Sequence, residues 1–207
     1  MPTNYNAIAG TELGRVCALS DGIFAIAMTL LVLEIHAPEA ADIHSESQLA
    51  AALAKLAPIV ATWLLSLTTL GIFWLGQQTQ LSLLTRTNRN LAWLHFLFLA
   101  VITALPFSTR LLGAFFDYRL AFFIYYLNIL LAGVTLYLAW RYAERAELTE
   151  EKPPGPIAAA VRRRIVRAQA LYAVGAAAGL VSTPLGVALM ILIQLNYAFA
   201  PRWTNWS

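Results

Sequence analysis

The sequence predicts an all-α integral membrane protein with six transmembrane helices per subunit. Three observations lead to this fold class. The 207 residues are 59% hydrophobic and only 12% charged, which is too apolar for an ordinary soluble domain. Apolar runs of spanning length, roughly 20 residues, recur along the chain. The basic residues are concentrated in alternate connections between these runs, as they are in helical membrane proteins.

The predicted spans follow from the apolar runs and from the residues that interrupt them. Ser182, Thr183 and Pro184 divide the long C-terminal run, because a single helix through it would be longer than a bilayer requires. A charged, proline-rich segment at 144–156 predicts a flexible cytoplasmic linker. Within this single domain, the six spans are expected at about 15–35, 56–79, 91–113, 119–141, 166–182 and 185–201.

The basic residues also predict the orientation of the spans. Short cytoplasmic loops collect Lys and Arg, and with both termini inside, only Lys55, Arg110 and Arg119 of the 14 basic residues would lie outside. A five-span alternative would also put Arg202 outside. The basic excess thus reflects topology in a bacterial-type inner membrane rather than nucleic acid binding. Three aromatic residues near the end of the last span fit a membrane-interface belt: Tyr197, Trp203 and Trp206.

Two carboxylates of the first apolar run, Asp21 and Glu34, are unusual in a predicted span. At about 1.5 Å per residue they lie roughly 20 Å apart, less than a hydrocarbon core of roughly 30 Å. At least one should approach the membrane interior with a partner. For Asp21, a packing network and direct contact with a transported ion both remain open. Glu34 is expected at the outer mouth, beside loop acids that either attract cations or are simply solvated: Glu39, Asp42 and Glu46.

One stripe of the first span follows a helical 4, 3, 4 spacing through Ile23, Ala27, Leu30 and Glu34. Such a stripe can be a packing seam between helices. If it faced a symmetry axis, rings of Ile23 and Leu30 would form a narrow hydrophobic constriction that gates by dewetting. The spacing alone leaves both interpretations open.

The stretch RVCALSDGIFAIAMTLLVLEI, residues 15–35, resembles the first-helix signature of the prokaryotic transmembrane protein 175 potassium channels. That family usually has Phe where this chain has Leu19. Trp74 in the second span, Asn90 at the start of the third and LPFSTRLLG at 105–113 resemble the same family. The resemblance covers the first half of the chain, whereas the second half matches only in its pattern of spans.

The resemblance implies a homotetramer whose potassium path lies on the fourfold axis, lined by the first helix of each subunit. Apolar rings would form the constriction, and the chain indeed contains no TVGYG-like carbonyl filter. The matching positions are Ile23, Ala27 and Leu30, with Thr29 as an adjacent polar contributor. Because Ala27 is small, Ile23 and Leu30 are the expected narrow points. Potassium and other monovalent cations, identical subunits and membrane lipid are the expected partners, and no cofactor is expected.

The resemblance further implies a structural polar network around the first helix. Its expected members are Arg15, Ser20, Asp21, Trp74, Asn90 and His95. The family commonly has His a few residues after the tryptophan, where this chain has Gln77 and Gln78, neither of which takes a proton. His95 either replaces that missing partner or is satisfied locally within the helix interface.

Two other function classes compete with a channel. A secondary transporter would bind a proton or cation at Asp21, but such carriers often break their helices with Gly or Pro near the midplane, and Gly22 lies at the inner end of its span. A membrane enzyme is not expected, because the sequence has no HExxH, GxSxG or phosphate-binding glycine loop. No metal site is expected either, because the three histidines are scattered: His36, His44 and His95.

Overall fold

The computed structural model describes residues 10–151 and 155–199. This part of the chain contains helices and no strand, apart from one isolated bridge. The helices are α1 (Leu13–Val32), α2 (Glu46–Lys55), α3 (Ala57–Ser82), α4 (Arg89–Thr103), α5 (Leu105–Ala114), α6 (Arg119–Arg145), α7 (Pro156–Gly179) and α8 (Thr183–Phe199). The all-helical class is therefore confirmed.

Four segments of the described chain are long and apolar enough to cross a membrane. They are α1, α3, the α4–α5 pair and α6. Helix α8 is apolar but shorter, and the first half of α7 carries several arginines. Six spans and cytoplasmic termini stay predictions. Four residues used in the topology argument lie outside the described residues: Lys152, Arg202, Trp203 and Trp206.

The third predicted span, 91–113, consists of two helices, α4 and α5, which meet at Ala104. Pro106 stands at the start of α5 and has no amide hydrogen to continue the ladder of α4. Helical bonding resumes where the Ser108 amide donates to the Ala104 carbonyl, 3.2 Å away. The proline thus interrupts the span without ending it.

Three aromatic rings fix α1 to the rest of the subunit. The ring centroid of Phe98, on α4, lies 6.1 Å from that of Phe24 on α1 and 6.1 Å from that of Phe73 on α3. All three rings are buried, and each such pair contributes about 0.5–1.5 kcal/mol beyond the burial of apolar area. Helix α1 therefore packs in the groove between α3 and α4.

The segment at 144–156 is expected to be a flexible linker, and its described residues make hydrogen bonds with two other parts of the subunit. The Thr85 amide donates to the Leu148 carbonyl at 2.9 Å, and Leu84 pairs with Thr149 in an isolated antiparallel bridge. The Glu151 carboxylate then accepts hydrogen bonds from amides at the start of α7, where it offsets the helix dipole. Backbone pairing and this cap thus connect the described residues of the segment to α7 and to the loop after α3, while its flexibility stays a prediction.

Candidate functional site

Helix α1 is the least enclosed of the four long apolar segments. In its most apolar part, 22% of the residues are buried, against 33% in α3, 44% in α4–α5 and 50% in α6. The aromatic contact described above covers only one side of it. A wide face of α1 is therefore uncovered within a single subunit.

The inward face of α1 is formed by Ser20, Phe24, Ala27 and Leu31, which are its buried residues. Ala27 is only 2% exposed, and Ile23 packs partly buried against the same core. Of the predicted stripe, Ala27 is thus enclosed by its own subunit and Ile23 is half-buried. Their place in a lining shared by several subunits stays a prediction.

The outward face of α1 carries larger apolar side chains. Ile26, Leu30 and Leu33 follow one another at spacings of four and three residues and are between 43% and 65% exposed. Thr29 is exposed beside them, and its hydroxyl donates to the Ile26 carbonyl at 2.8 Å. Of the four predicted lining residues, Leu30 and Thr29 are thus on the open face, together with Ile26 and Leu33, which the sequence analysis did not single out.

The Asp21 carboxylate joins α1 to α3 beside this open face. Its Oδ1 atom accepts hydrogen bonds from the Trp74 indole at 2.9 Å and from the Gln78 amide at 2.6 Å. Both donors come from one face of α3, four residues apart, so a single helix satisfies one carboxylate oxygen. Asp21 and Trp74, both expected members of the polar network, thus meet, and Gln78 joins them.

A second polar contact is buried directly behind the first. The Ser20 hydroxyl donates to the Gln77 side-chain oxygen, and the Gln77 amide nitrogen lies 3.4 Å from His95 Nδ1. All three side chains are no more than 2% exposed. His95 of α4 therefore lies beside the glutamine that stands in the expected position of a histidine.

Two predicted members of the network are not joined to it. The side chains of Arg15 and Asn90 are exposed, and neither makes a hydrogen bond or an ion pair with another described residue. Arg15 instead lines an open cleft of about 680 Å³ between the start of α1 and α4. Exposed Trp93 and Phe96 form one wall of that cleft.

The far end of α1 carries an ion pair. Glu34 lies just past the helix, and its Oε2 atom is 3.5 Å from Nε of Arg110 on α5. The glutamate side chain is 19% exposed and the arginine 67%. The expected outer-mouth acid is therefore partly offset by a cation, while Glu39 and Glu46 nearby are exposed. Within residues 10–151 and 155–199, no three metal-binding side chains come together.

Comparison with known proteins decides the family. A family model described as the endosomal/lysosomal potassium channel TMEM175 matches residues 15–106. A potassium channel of Streptomyces collinus is 32% identical over 193 aligned residues, and the match covers 91% of this chain and 92% of that relative. The chain belongs to the TMEM175 family. It is a membrane protein, and its relatives carry the names of channels rather than of enzymes.

The TMEM175 likeness extends to the fold. The crystal structure of a lysosomal potassium-selective channel TMEM175 homolog from Chamaesiphon minutus is similar over 92% of this chain and 98% of that chain, with a TM-score of 0.78 and 28% identity. The bovine endosomal/lysosomal proton channel TMEM175 is 33% identical over 106 residues, covering 49% of this chain and 22% of that relative. The family match at 15–106 contains the hydrogen bonds of Asp21 and Ser20 with α3 and the contact of Gln77 with His95, whereas Arg110 lies outside it.

Proposed function

We propose that this chain forms a potassium-selective channel in which four identical subunits surround a central path lined by α1. The observation that carries the proposal is the open apolar face of α1, formed by Ile26, Leu30 and Leu33. Lipid covers the ordinary apolar faces of spans, and α1 differs from the other three long apolar segments in being less enclosed by its own subunit, which favours a surface that meets other subunits. The potassium channels similar to this chain supply the identity of the permeant ion.

The proposed constriction is hydrophobic. From Ile26 to Leu33 the helix rises about 10 Å, so rings of these side chains around an axis would form a narrow apolar segment. Such a segment opposes the passage of hydrated ions and can gate by losing its water. Leu30 keeps the role that the sequence predicted, while Ile26 and Leu33 take the places of Ile23 and Ala27.

Asp21 supports assembly rather than ion binding in this proposal. One of its oxygens already accepts two hydrogen bonds from α3, yet the residue is exposed in a single subunit. A charged group at this depth of a span needs cover and a partner. We place it at the contact between subunits, where the exposed Arg15 of a neighbouring copy is a suitable cation.

The subunit is proposed to cross the cell membrane six times, with both termini in the cytoplasm and lipid around the tetramer. Helices α7 and α8 supply the last two spans. The arginines at 162–164 and Arg167 then lie at the cytoplasmic end of α7, where basic residues are favoured. Glu34 and Arg110 lie at the opposite, outer mouth.

Current through the purified protein in a planar bilayer tests the function. With a potassium gradient against sodium, discrete steps are expected whose zero-current voltage lies nearer the potassium equilibrium potential. Silence in the bilayer, combined with saturable, proton-coupled ion uptake into vesicles, would contradict the channel and favour a transporter that uses Asp21.

A matched pair of leucines tests the proposed path. Leu30, on α1, and Leu131, on α6, are 43% and 44% exposed, so the same substitution puts a similar polar group at a similarly open position. Leu30→Asn is expected to raise conductance or weaken selectivity, while Leu131→Asn leaves both unchanged. Equal effects of the two variants, or none from Leu30→Asn, would remove the path from this face of α1.

A further inference from the structure

A chain of hydrogen bonds runs through the interior of the subunit, away from the open face of α1. The Thr109 hydroxyl donates to Ser66 at 2.7 Å, and Ser66 donates to the Tyr125 hydroxyl at 3.2 Å. The same tyrosine hydroxyl lies 3.1 Å from Thr69, which accepts from the Gln194 amide at 2.6 Å. Helices α3, α5, α6 and α8 are thus linked by buried polar groups.

Beyond Gln194 the buried polar groups continue, but their hydrogen bonds do not. Both amide atoms of Gln80 and the side-chain oxygens of Gln169 and Gln194 are buried without a hydrogen-bond partner among residues 10–151 and 155–199. The Tyr172 hydroxyl is likewise buried without a hydrogen-bond partner among these described residues. Each buried, unpaired polar group lowers the stability of the fold by about 1–3 kcal/mol, so this cluster would destabilise the protein substantially if no water bound to it.

A cavity of about 60 Å³ lies among the same residues, between α3, α6, α7 and α8. Gln80, Gln169 and Tyr172 all line it, and Gln80 and Tyr172 are 2% and 1% exposed. The chain makes room for the Gln169 amide at Gly133 of α6, where an added Cβ would lie only 1.9 Å from its nitrogen. The cavity is therefore bordered by a few buried hydrogen-bonding groups among mostly apolar side chains, with Arg164 also in its lining.

We infer that this cavity is a water-binding site inside each subunit, occupied by ordered water that hydrogen-bonds to Gln80, Gln169 and Tyr172. A water in the liquid occupies about 30 Å³, so the volume accommodates roughly two, and buried water typically makes about three hydrogen bonds. The unpartnered amide and hydroxyl groups supply that number. The bound water extends the internal polar chain to Gln80, about 21 Å along α3 from Ser66.

Radiolytic hydroxyl-radical labelling of the full-length protein in lipid nanodiscs tests this site, because radicals form from water in place and modify the side chains beside it. Tyr125 serves as the internal control for Tyr172, because both side chains are almost fully buried. Unlike Tyr172, Tyr125 has protein partners for its hydroxyl and does not border the cavity. Tyr172 is expected to be labelled at least about fivefold more than Tyr125, because only it adjoins buried water.

The variant Gln80→Leu gives a second readout. It keeps a similar volume but removes two of the hydrogen-bonding atoms at the cavity, so Tyr172 labelling is expected to fall towards that of Tyr125 and the melting temperature to drop. A dry cavity predicts the reverse: Tyr172 labelled no more than Tyr125 in the unaltered protein, and a higher melting temperature in Gln80→Leu. The labelling ratio of the unaltered protein decides the matter even if the variant does not fold.

Discussion

The indole nitrogen of Trp74 donates a hydrogen bond to the Asp21 carboxylate across 2.9 Å and thereby fastens α1 to α3. The Gln78 amide donates to the same oxygen. Both bonds go to Oδ1, and the other carboxylate oxygen has no hydrogen-bond partner among residues 10–151 and 155–199. In the proposed channel, this acid would hold α1 in position without occupying the ion path.

Removing the indole donor is expected to loosen α1. Trp74→Phe keeps an aromatic ring but loses the hydrogen bond to a charged acceptor, which should lower the free energy of unfolding by about 1 kcal/mol. Thermal unfolding in detergent measures this. Trp63→Phe is the control, because the Trp63 indole nitrogen is buried without a partner in the described part of the chain. A larger loss of stability in Trp63→Phe would contradict the proposed anchor.

Replacing the acid is expected to affect assembly first. Asp21→Ala should reduce the fraction of tetramer, measured by light scattering after size exclusion, because it removes the group that α3 and the neighbouring subunit are proposed to share. Asp117→Ala alters an exposed acid outside α1 and should leave assembly intact. Normal tetramers of Asp21→Ala without conduction would instead indicate direct contact between Asp21 and the ion.

Substitutions at two alanines test which face of α1 is turned towards the core of the subunit. Ala27→Leu places three extra carbon atoms in the core and should destabilise the protein by about 1–3 kcal/mol. Ala25→Leu, two residues earlier on the exposed side, should change the melting temperature little. A reversed order of the two melting temperatures would mean that Ala27 faces the open side, as the sequence had predicted.

The contact between α6 and α7 depends on a buried acid. Glu144 is 4% exposed; its carboxylate binds Arg162 and lies 3.7 Å from Arg141. Glu144→Gln should lower the free energy of unfolding by about 2 kcal/mol, since it leaves two arginines without their anion. Glu150→Gln at an exposed site is the control, and equal melting temperatures of the two variants would contradict this role.

The sequence predicted the helical class and part of the polar network, because those depend on residue types. Apolar length indicates spans, and an acid inside a span requires a partner, which Asp21 finds in Trp74. The sequence could not orient α1. When nearly every position is apolar, periodicity does not distinguish the face of Ala27 from the face of Ile26. Only Ser20, whose hydroxyl needs a buried acceptor, marked the inward side.

The contacts of the segment after α6 could not be predicted for a different reason. Charge and proline at 144–156 indicate a solvated connection. In the structure, however, part of this segment makes hydrogen bonds with other parts of the protein: Leu84 and Thr149 pair through their main chains, and Glu151 caps α7. A backbone pair between two single residues does not require particular side chains, so it leaves no recognisable pattern in the sequence. A sequence therefore offers no signal for it until the two loops are known to be neighbours.

That pairing also joins a residue inside the family match at 15–106, Leu84, to a residue outside it, Thr149. Thr85 and Leu148 are joined through peptide groups, which every residue except proline supplies on both sides. The joint consequently places almost no demand on amino-acid identity. The residues at these two positions can therefore change and still be joined there, in contrast to the side-chain links of Tyr125 and Gln194 with α3.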